Sequence, residues 1–459
     1  MPSSERLRLR KWAAWYFIVT LGLSSCAGHS QSFIPPPNPL PNIAIAGAPN
    51  MGTLSNQLPT PIKHVVIIFQ ENRTPDYLFQ GIPGADIAKT AVDWYGKQVS
   101  LHEVSLGAAY DLDHSHAGFN RDYNGAGMNG FDRSLPYAYH LRPFGYAPES
   151  EARPYHDMAK QYVFADHMFQ SNEGPSFPSH LYIISGTATE KKLAGYRVSG
   201  NAHNPNGPSG GGGCDVPPAS RVHIINIYTG EAGPETFPCF DRPVLSDFLD
   251  QKGVTWRYYQ KFMGPGLWHA YDAIRHVRYG PDYANVVSPP QTVLTDIARG
   301  QLRGVSWVMP DGAHSDHAGR NGFKRGPSWV AAVVNAIGKS KYWSSTAIFV
   351  TWDDWGGWYD HLPPPIINHY ELGFRVPLIV ISPYAKHGYV SKGQHEFGSI
   401  LACTEEIFGI PKGSLNATDK RADDLMDAFD FAQRPRSFVP IKAPPFVPPP
   451  NKIQNDEDP

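Results

Sequence analysis

The apolar positions of this chain gather into short unbroken runs instead of alternating with polar ones. His64-Val-Val-Ile-Ile-Phe-Gln70 and Thr346-Ala-Ile-Phe-Val-Thr-Trp352 are the clearest, and Val305–Met309 and Val376–Ile381 are shorter examples. Such runs belong to strands buried on both faces, the pattern of a parallel sheet. Between the third and second of these runs, Pro327 to Lys339 carries the apolar spacing of a helix. Strand, helix, strand in that order predicts an α/β fold: a mainly parallel central sheet covered by helices on both faces. Residues 201–243 break the pattern, being rich in Gly, Pro and Asn with one apolar run at Val222–Tyr228. They read as a loop-rich insertion over the sheet, suited to a lid or a substrate-shaping loop.

The polar residues just beyond the two longest runs carry the candidate chemistry. The first run ends on Glu71-Asn72, after which Thr74 is placed to cap a helix with Pro75 at its first position. The second ends on the adjacent acids Asp353 and Asp354, then a Gly356-Gly357 turn and an Asp360-His361 pair. Two carboxylates side by side at a strand end repel and desolvate badly unless a divalent cation or a shared proton offsets the charge. Ligands of open α/β sheets collect beyond the carboxyl ends of parallel strands. Both runs therefore aim oxygen donors at one rim, a set suited to Mg, Ca or Mn, and with histidine nearby to Zn or Fe.

A nucleophile candidate lies in Glu173-Gly-Pro-Ser176-Phe-Pro-Ser179-His180. Gly174-Pro175 makes a turn and Pro178 fits a first helical turn, so Ser176 stands at or near a helix N-terminus. There the free N–H groups and the dipole favour an alkoxide or a bound phosphate. Helix capping is the other role open to this serine, and Ser179 is a second hydroxyl in reach. Histidines recur in the polar loops: His114 and His116 after Asp113, His314 and His317 around Asp316, and His361. His114 and His317 each stand directly after an acid that would orient the ring.

Composition narrows the function classes. The 459 residues carry a formal charge of -2, which argues against a nucleic-acid surface, and 12% aromatic content fits a globular protein and not a disordered one. The 44 Pro and 43 Gly demand many loops. At the N-terminus, Arg6, Arg8, Arg10 and Lys11 precede a short apolar segment, Trp12 to Leu23. Leu23-Ser24-Ser25-Cys26 then resembles a bacterial lipobox, so residues 1–26 read as a lipoprotein signal peptide with the anchor on Cys26. That assigns the chain to the cell envelope, in the periplasm or at the outer membrane, with secretion as the alternative. Residues 27–61 read as a Pro-rich tether, 62–433 as the folded domain, and 434–459 as a Pro-rich, unpacked tail. Cys214 and Cys239 sit in loops where an oxidising compartment would let them pair, and Cys403 reads as a buried thiol.

Taken in order, Gln70-Glu-Asn-Arg73, Gly174-Pro-Ser-Phe-Pro178, Ser315-Asp-His317, Thr351–His361, and Arg375-Val-Pro377 leading into Ser382-Pro383 resemble the bacterial phosphoesterase family over roughly residues 60–410. That family includes phospholipases C and an acid phosphatase. The resemblance implies an alkaline-phosphatase-like fold and one divalent metal ion held by Glu71, Asn72, Asp353 and Asp354. It also implies a nucleophile at Ser176, with His114 and His317 as phosphate contacts or leaving-group acids. His269 is a looser match for substrate binding. Pro75, Tyr77, Ser179-His180 and Asp354 depart from the family pattern, which bears on substrate more than on chemistry. The expected activity is hydrolysis of a phosphate ester or phospholipid, of phospholipase C type. A phosphomonoesterase and a non-catalytic binding lipoprotein are the alternatives.

Overall fold

Each long apolar run forms a strand with no residue of its interior exposed, because no charged side chain interrupts it. The computed structural model describes residues 60–189, 193–207, 211–319 and 324–448. The signal-peptide, Cys26 anchor and nearly all of the tether assignments, with tail residues 449–459, lie outside them. Eight strands make the main sheet: β1 (His64–Gln70), β2 (Val163–Ala165), β3 (Trp256–Tyr259), β4 (Val286–Val287), β5 (Val305–Val308), β6 (Thr346–Trp352), β7 (Leu378–Ile381) and β8 (Tyr389–Ser391). Their order is β4-β3-β5-β1-β6-β7-β2-β8. β1 is central, parallel to β5 through Val65↔Val305 and to β6 from His64↔Thr346 to Gln70↔Trp352.

One strand departs from the parallel expectation. β7 runs antiparallel to both β6 and β2. A parallel neighbour needs a crossover, usually helical, whereas the chain between Trp352 and Leu378 contains no helix and simply turns back.

The main helices are α1 (Pro75–Leu78), α2 (His116–Tyr123), α3 (Glu149–Gln161), α4 (Ser176–Ser185), α5 (Gly326–Gly338) and α6 (Phe397–Phe408). Thr74 caps α1 as expected, accepting from Tyr77 N, with Pro75 at its first position. Helices cover both faces of the sheet. Phe69 of β1 meets His180 of α4 and Phe397 of α6, with ring centres 4.8 and 5.1 Å apart. The neighbouring pair Gln70↔Trp352 faces the other way, since successive strand residues alternate. There Trp352 packs edge-on to Tyr155 of α3 at 5.0 Å.

The proline-rich tail is not unpacked, and this corrects the sequence reading through residue 448. Ile441 is buried, and its backbone exchanges two 2.9 Å hydrogen bonds with the Asn335 side chain on α5. Phe438 lies edge-on to Trp343 at 5.0 Å, and Phe446 sits 5.4 Å from Trp329 and 5.1 Å from His314. His314 also ties the tail down through Nε2 to Val447 O at 2.8 Å. Prolines leave few N–H groups to satisfy, so an extended segment needs only a side-chain amide and ring contacts to become a strap.

Just before the insertion, Tyr196–Val198 pairs antiparallel with Ile224–Asn226 inside it. Cys214 and Cys239 form a disulfide with Cα atoms 4.5 Å apart, and Cys403 is a buried free thiol. Among the described residues, no helix is long and apolar enough to cross a membrane.

Candidate active site

The register of the sheet builds the site. Because Gln70 aligns with Trp352, the residues just past them, Glu71 and Asp353, emerge side by side. Asp353 N donates to Gln70 O at 3.0 Å, extending the ladder by one step. Asp353 Oδ1 then accepts from the backbone N–H of Asn72 at 2.9 Å and of Asp354 at 2.8 Å. Asn72 adopts a left-handed backbone with φ 57°, which asparagine tolerates better than most residues. The Gly356-Gly357 turn is required by proximity and by backbone, with φ 62° and 70°. A Cβ on Gly356 would stand 2.6 Å from Asn72 O, and one on Gly357 2.4 Å from Leu112 Cβ. These glycines let the His114 loop close over the strand ends.

Ser176 is the first residue of α4, a helix buried throughout. It does not cap the helix, since no side-chain hydrogen bond closes that end. Its Oγ lies 3.4 Å from Glu71 Oε2 and 3.4 Å from Asp354 Oδ2. Ser179 is turned away, donating to Asn172 Oδ1 at 2.9 Å. One turn beyond Ser176, His180 faces the same carboxylates. Its Nε2 is 2.9 Å from Glu71 Oε1 and 3.9 Å from Asp353 Oδ2. The sequence reading missed this residue as a partner of the site and marked it only as a departure. The i, i+4 spacing from Ser176 was the available signal.

The donor chemistry fits a cation. Glu71, His180 and Asp353 offer ligand atoms within 4.8 Å of one another, all buried. Asp353 Oδ2 accepts no hydrogen bond among the described residues, and burial holds its carboxyl above the usual range. With the Asn72 amide in one orientation, its oxygen faces Glu71 Oε2 at 3.0 Å and Asp353 Oδ1 at 3.2 Å. In that orientation three acceptor oxygens crowd together with no donor between them. Rotating the amide by half a turn makes its nitrogen donate to both carboxylates and its oxygen accept from His114 Nε2 at 3.1 Å, the arrangement suited to the free protein.

The structure brings His114 and His317 together, with ring centres 5.6 Å apart. Their adjacent acids do not orient them, which corrects the sequence reading. His114 Nδ1 bonds to Leu112 O at 2.7 Å and His317 Nδ1 to Ala318 O at 2.6 Å. Asp113 instead pairs with Arg121 at 2.8 Å, and Asp316 takes the Tyr155 hydroxyl at 2.6 Å and Trp352 Nε1 at 3.1 Å. His269 is held by Gly264 O at 2.7 Å, beside Trp268, whose ring stacks 6.5 Å from that of His180. The other histidines have separate tasks. His116 bonds to Glu173 O, and His314 to Asp311 and the tail. His361 joins a charge network in which Asp76, Asp360 and Arg375 meet.

A family model described as the Phosphoesterase family matches residues 62–411. The chain is 26% identical over 428 residues to a non-hemolytic phospholipase C of Pseudomonas aeruginosa, covering 81% of this chain but 57% of that relative's length. It is 25% identical to phospholipase C A of Mycobacterium tuberculosis, covering 84% of this chain and 81% of the relative. A solved structure of a protein in the alkaline phosphatase superfamily from Vibrio parahaemolyticus matches at 12% identity and a TM-score of 0.38, over 80% of this chain and 71% of that one.

Proposed function

This chain belongs to the phosphoesterase family, and from that premise we propose that it hydrolyses phosphoric esters with Ser176 as nucleophile and one divalent cation as cofactor. The observation that carries the reading is the Ser176 hydroxyl, 3.4 Å from both Glu71 Oε2 and Asp354 Oδ2 at the start of a buried helix. A hydroxyl between two carboxylates has a proton acceptor on either side and a helix dipole behind it.

Glu71, Asn72, Asp353 and Asp354 would hold the cation in this scheme, with His180 fixing Glu71 by donating from Nε2 to its Oε1. When bound, the cation lowers the cost of the alkoxide and of charge on the phosphoryl oxygens. Ser176 Oγ gives its proton to a neighbouring carboxylate and attacks phosphorus, and the bond to the leaving alcohol breaks opposite. His114 or His317 protonates the departing oxygen. Water then attacks the phospho-serine and loses a proton to the histidine that protonated the leaving alcohol. The carboxylate returns its proton to Ser176 Oγ as the Oγ–P bond breaks, and phosphate or a phosphorylated head group is released. The two histidines, ring against ring, also offset charge on the equatorial oxygens.

The similarity to phospholipases C favours a phospholipid diester over a phosphomonoester. The test compares a phosphocholine diester with a chromogenic phosphomonoester, each before and after chelator. Faster diester hydrolysis that chelator abolishes is the expected result. Faster monoester hydrolysis would make the protein an acid phosphatase. Inactivity on both, with metal restored, would overturn the enzyme reading in favour of a binding lipoprotein. Anchorage to the envelope through Cys26 is part of the same proposal, since it would hold the enzyme beside a lipid substrate.

A further inference from the structure

The insertion brings three metal-ligating side chains to one point, well apart in sequence from the catalytic carboxylates. His203 bridges antiparallel to Arg221, and Val222 bridges antiparallel to Thr236. The second bridge sets His223 opposite Glu235, and the first sets His203 diagonally from His223, so alternation turns all three toward one face. The side chains meet there. His203 Nε2 is 3.2 Å and His223 Nδ1 3.0 Å from the same oxygen, Glu235 Oε1. The two rings are stacked, with centres 4.9 Å apart and planes 21° off parallel. Gly200 makes room for this, since a Cβ there would press against the His223 ring at 3.3 Å.

We propose that His203, His223 and Glu235 form a second metal site, of the Zn(II) class, that staples three passes of the insertion. Two imidazole nitrogens converging on one carboxylate oxygen need either a proton on each nitrogen or one cation shared by all three. Nitrogen and oxygen ligands held at about 2.0–2.1 Å around tetrahedral zinc stand roughly 3.3 Å apart. The observed 3.0 and 3.2 Å differ from that by a few tenths of an ångström, and the three ligand atoms lie within 4.8 Å of one another. The set His, His and carboxylate leaves a fourth position for water, and His223 retains 63% of its side-chain exposure, so an ion has a path in. Borderline nitrogen donors select Zn(II) over Mg(II) or Ca(II).

The staple has a route to the catalytic helix. Asn201, two residues before His203, accepts through Oδ1 from Phe177 N at 3.0 Å, directly after Ser176. Fixing the insertion therefore fixes a partner of the α4 N-terminus.

The test uses full-length protein stripped with chelator and titrated with Co(II) as a spectroscopic stand-in for Zn(II). Asp353→Asn, which disables the catalytic cation site, should still bind one equivalent with the intense visible bands of four-coordinate Co(II). Adding His223→Ala should remove that equivalent and those bands. His203→Ala should do the same, and hydrogen exchange across 199–236 should slow on Zn(II) addition only when both histidines are present. Both histidines are partly exposed, so these variants should fold, and an unchanged far-ultraviolet spectrum checks it. Binding by Asp353→Asn that survives His223→Ala and His203→Ala would overturn the site, as would no stoichiometric binding by Asp353→Asn at all. Neither result bears on Ser176 chemistry, which the ester assays read separately.

Discussion

At the scale of single residues, the proposed scheme gives Ser176 the chemistry and His180 the positioning, although they are one helical turn apart. Ser176→Ala should abolish turnover yet leave the catalytic metal bound, measured by ester assay and elemental analysis. Substantial residual turnover would reject the nucleophile. His180→Ala should instead weaken metal affinity by about 10–100-fold, the usual effect of losing a group that orients a ligand. A metal titration showing wild-type affinity would remove His180 from that role. Glu371 sets a pH dependence elsewhere in the fold. Burial pushes its carboxyl up, but the Arg197 and Arg421 guanidiniums outweigh burial and bring it to about 2. A folded value below the unfolded one means stability is fully present above the unfolded value and lost as pH falls through the folded one. Wild type should therefore lose stability between about pH 4.5 and 2, and Glu371→Gln should flatten that loss. Urea midpoints at pH 7 and pH 3 check it, and parallel losses in the two proteins would contradict the assignment.

At the scale of elements, the strap formed by residues 434–448 gains its hold from few groups. Asn335→Ala removes both hydrogen bonds to Ile441 and should cost about 2 kcal/mol, near 1 for each bond. Equal denaturant midpoints for variant and wild type would mean the strap contributes nothing. This element was the least legible in the sequence. Proline content reads as unpacked chain, and nothing local reveals that Phe438 and Phe446 find tryptophan partners on distant segments. Four of the eight main-sheet strands, β1, β5, β6 and β7, were legible because full burial on both faces leaves an unbroken apolar record, whereas the two- to four-residue β2, β3, β4 and β8 were too short to leave one. Direction was not legible, which is why the reversal of β7 emerged only in three dimensions. In the site, Glu71, Asp353 and Ser176 were legible because each stands at a strand or helix terminus marked by turn residues. The orientation of His114 and His317 was not, because their sequence-adjacent acids are taken by Arg121, Tyr155 and Trp352. Backbone carbonyls hold the rings in their place, and carbonyls leave no mark in a sequence.

At the scale of the whole molecule, the disulfide and the proposed export signal would belong to one setting. A bond between Cys214 and Cys239 persists outside the reducing cytosol, so the proposed export also explains how the insertion acquires its covalent cross-link. Cys26→Ala should shift the protein from the membrane fraction to the soluble one, read by fractionation, and unchanged partition would sink the anchor. The proposed export would have a further requirement, an unfolded nascent chain, that the central position of β1 meets. Its two neighbours, β5 and β6, lie more than two hundred residues later in the chain. While synthesis proceeds, the first strand therefore has no partner on either edge, and no stable half-sheet can form around it. The same delay exposes seven mostly apolar residues to other chains, so refolding from denaturant should be slow and should lose yield as concentration rises. The topology thus trades a vulnerable interval for a nascent chain that stays threadable until its later strands emerge.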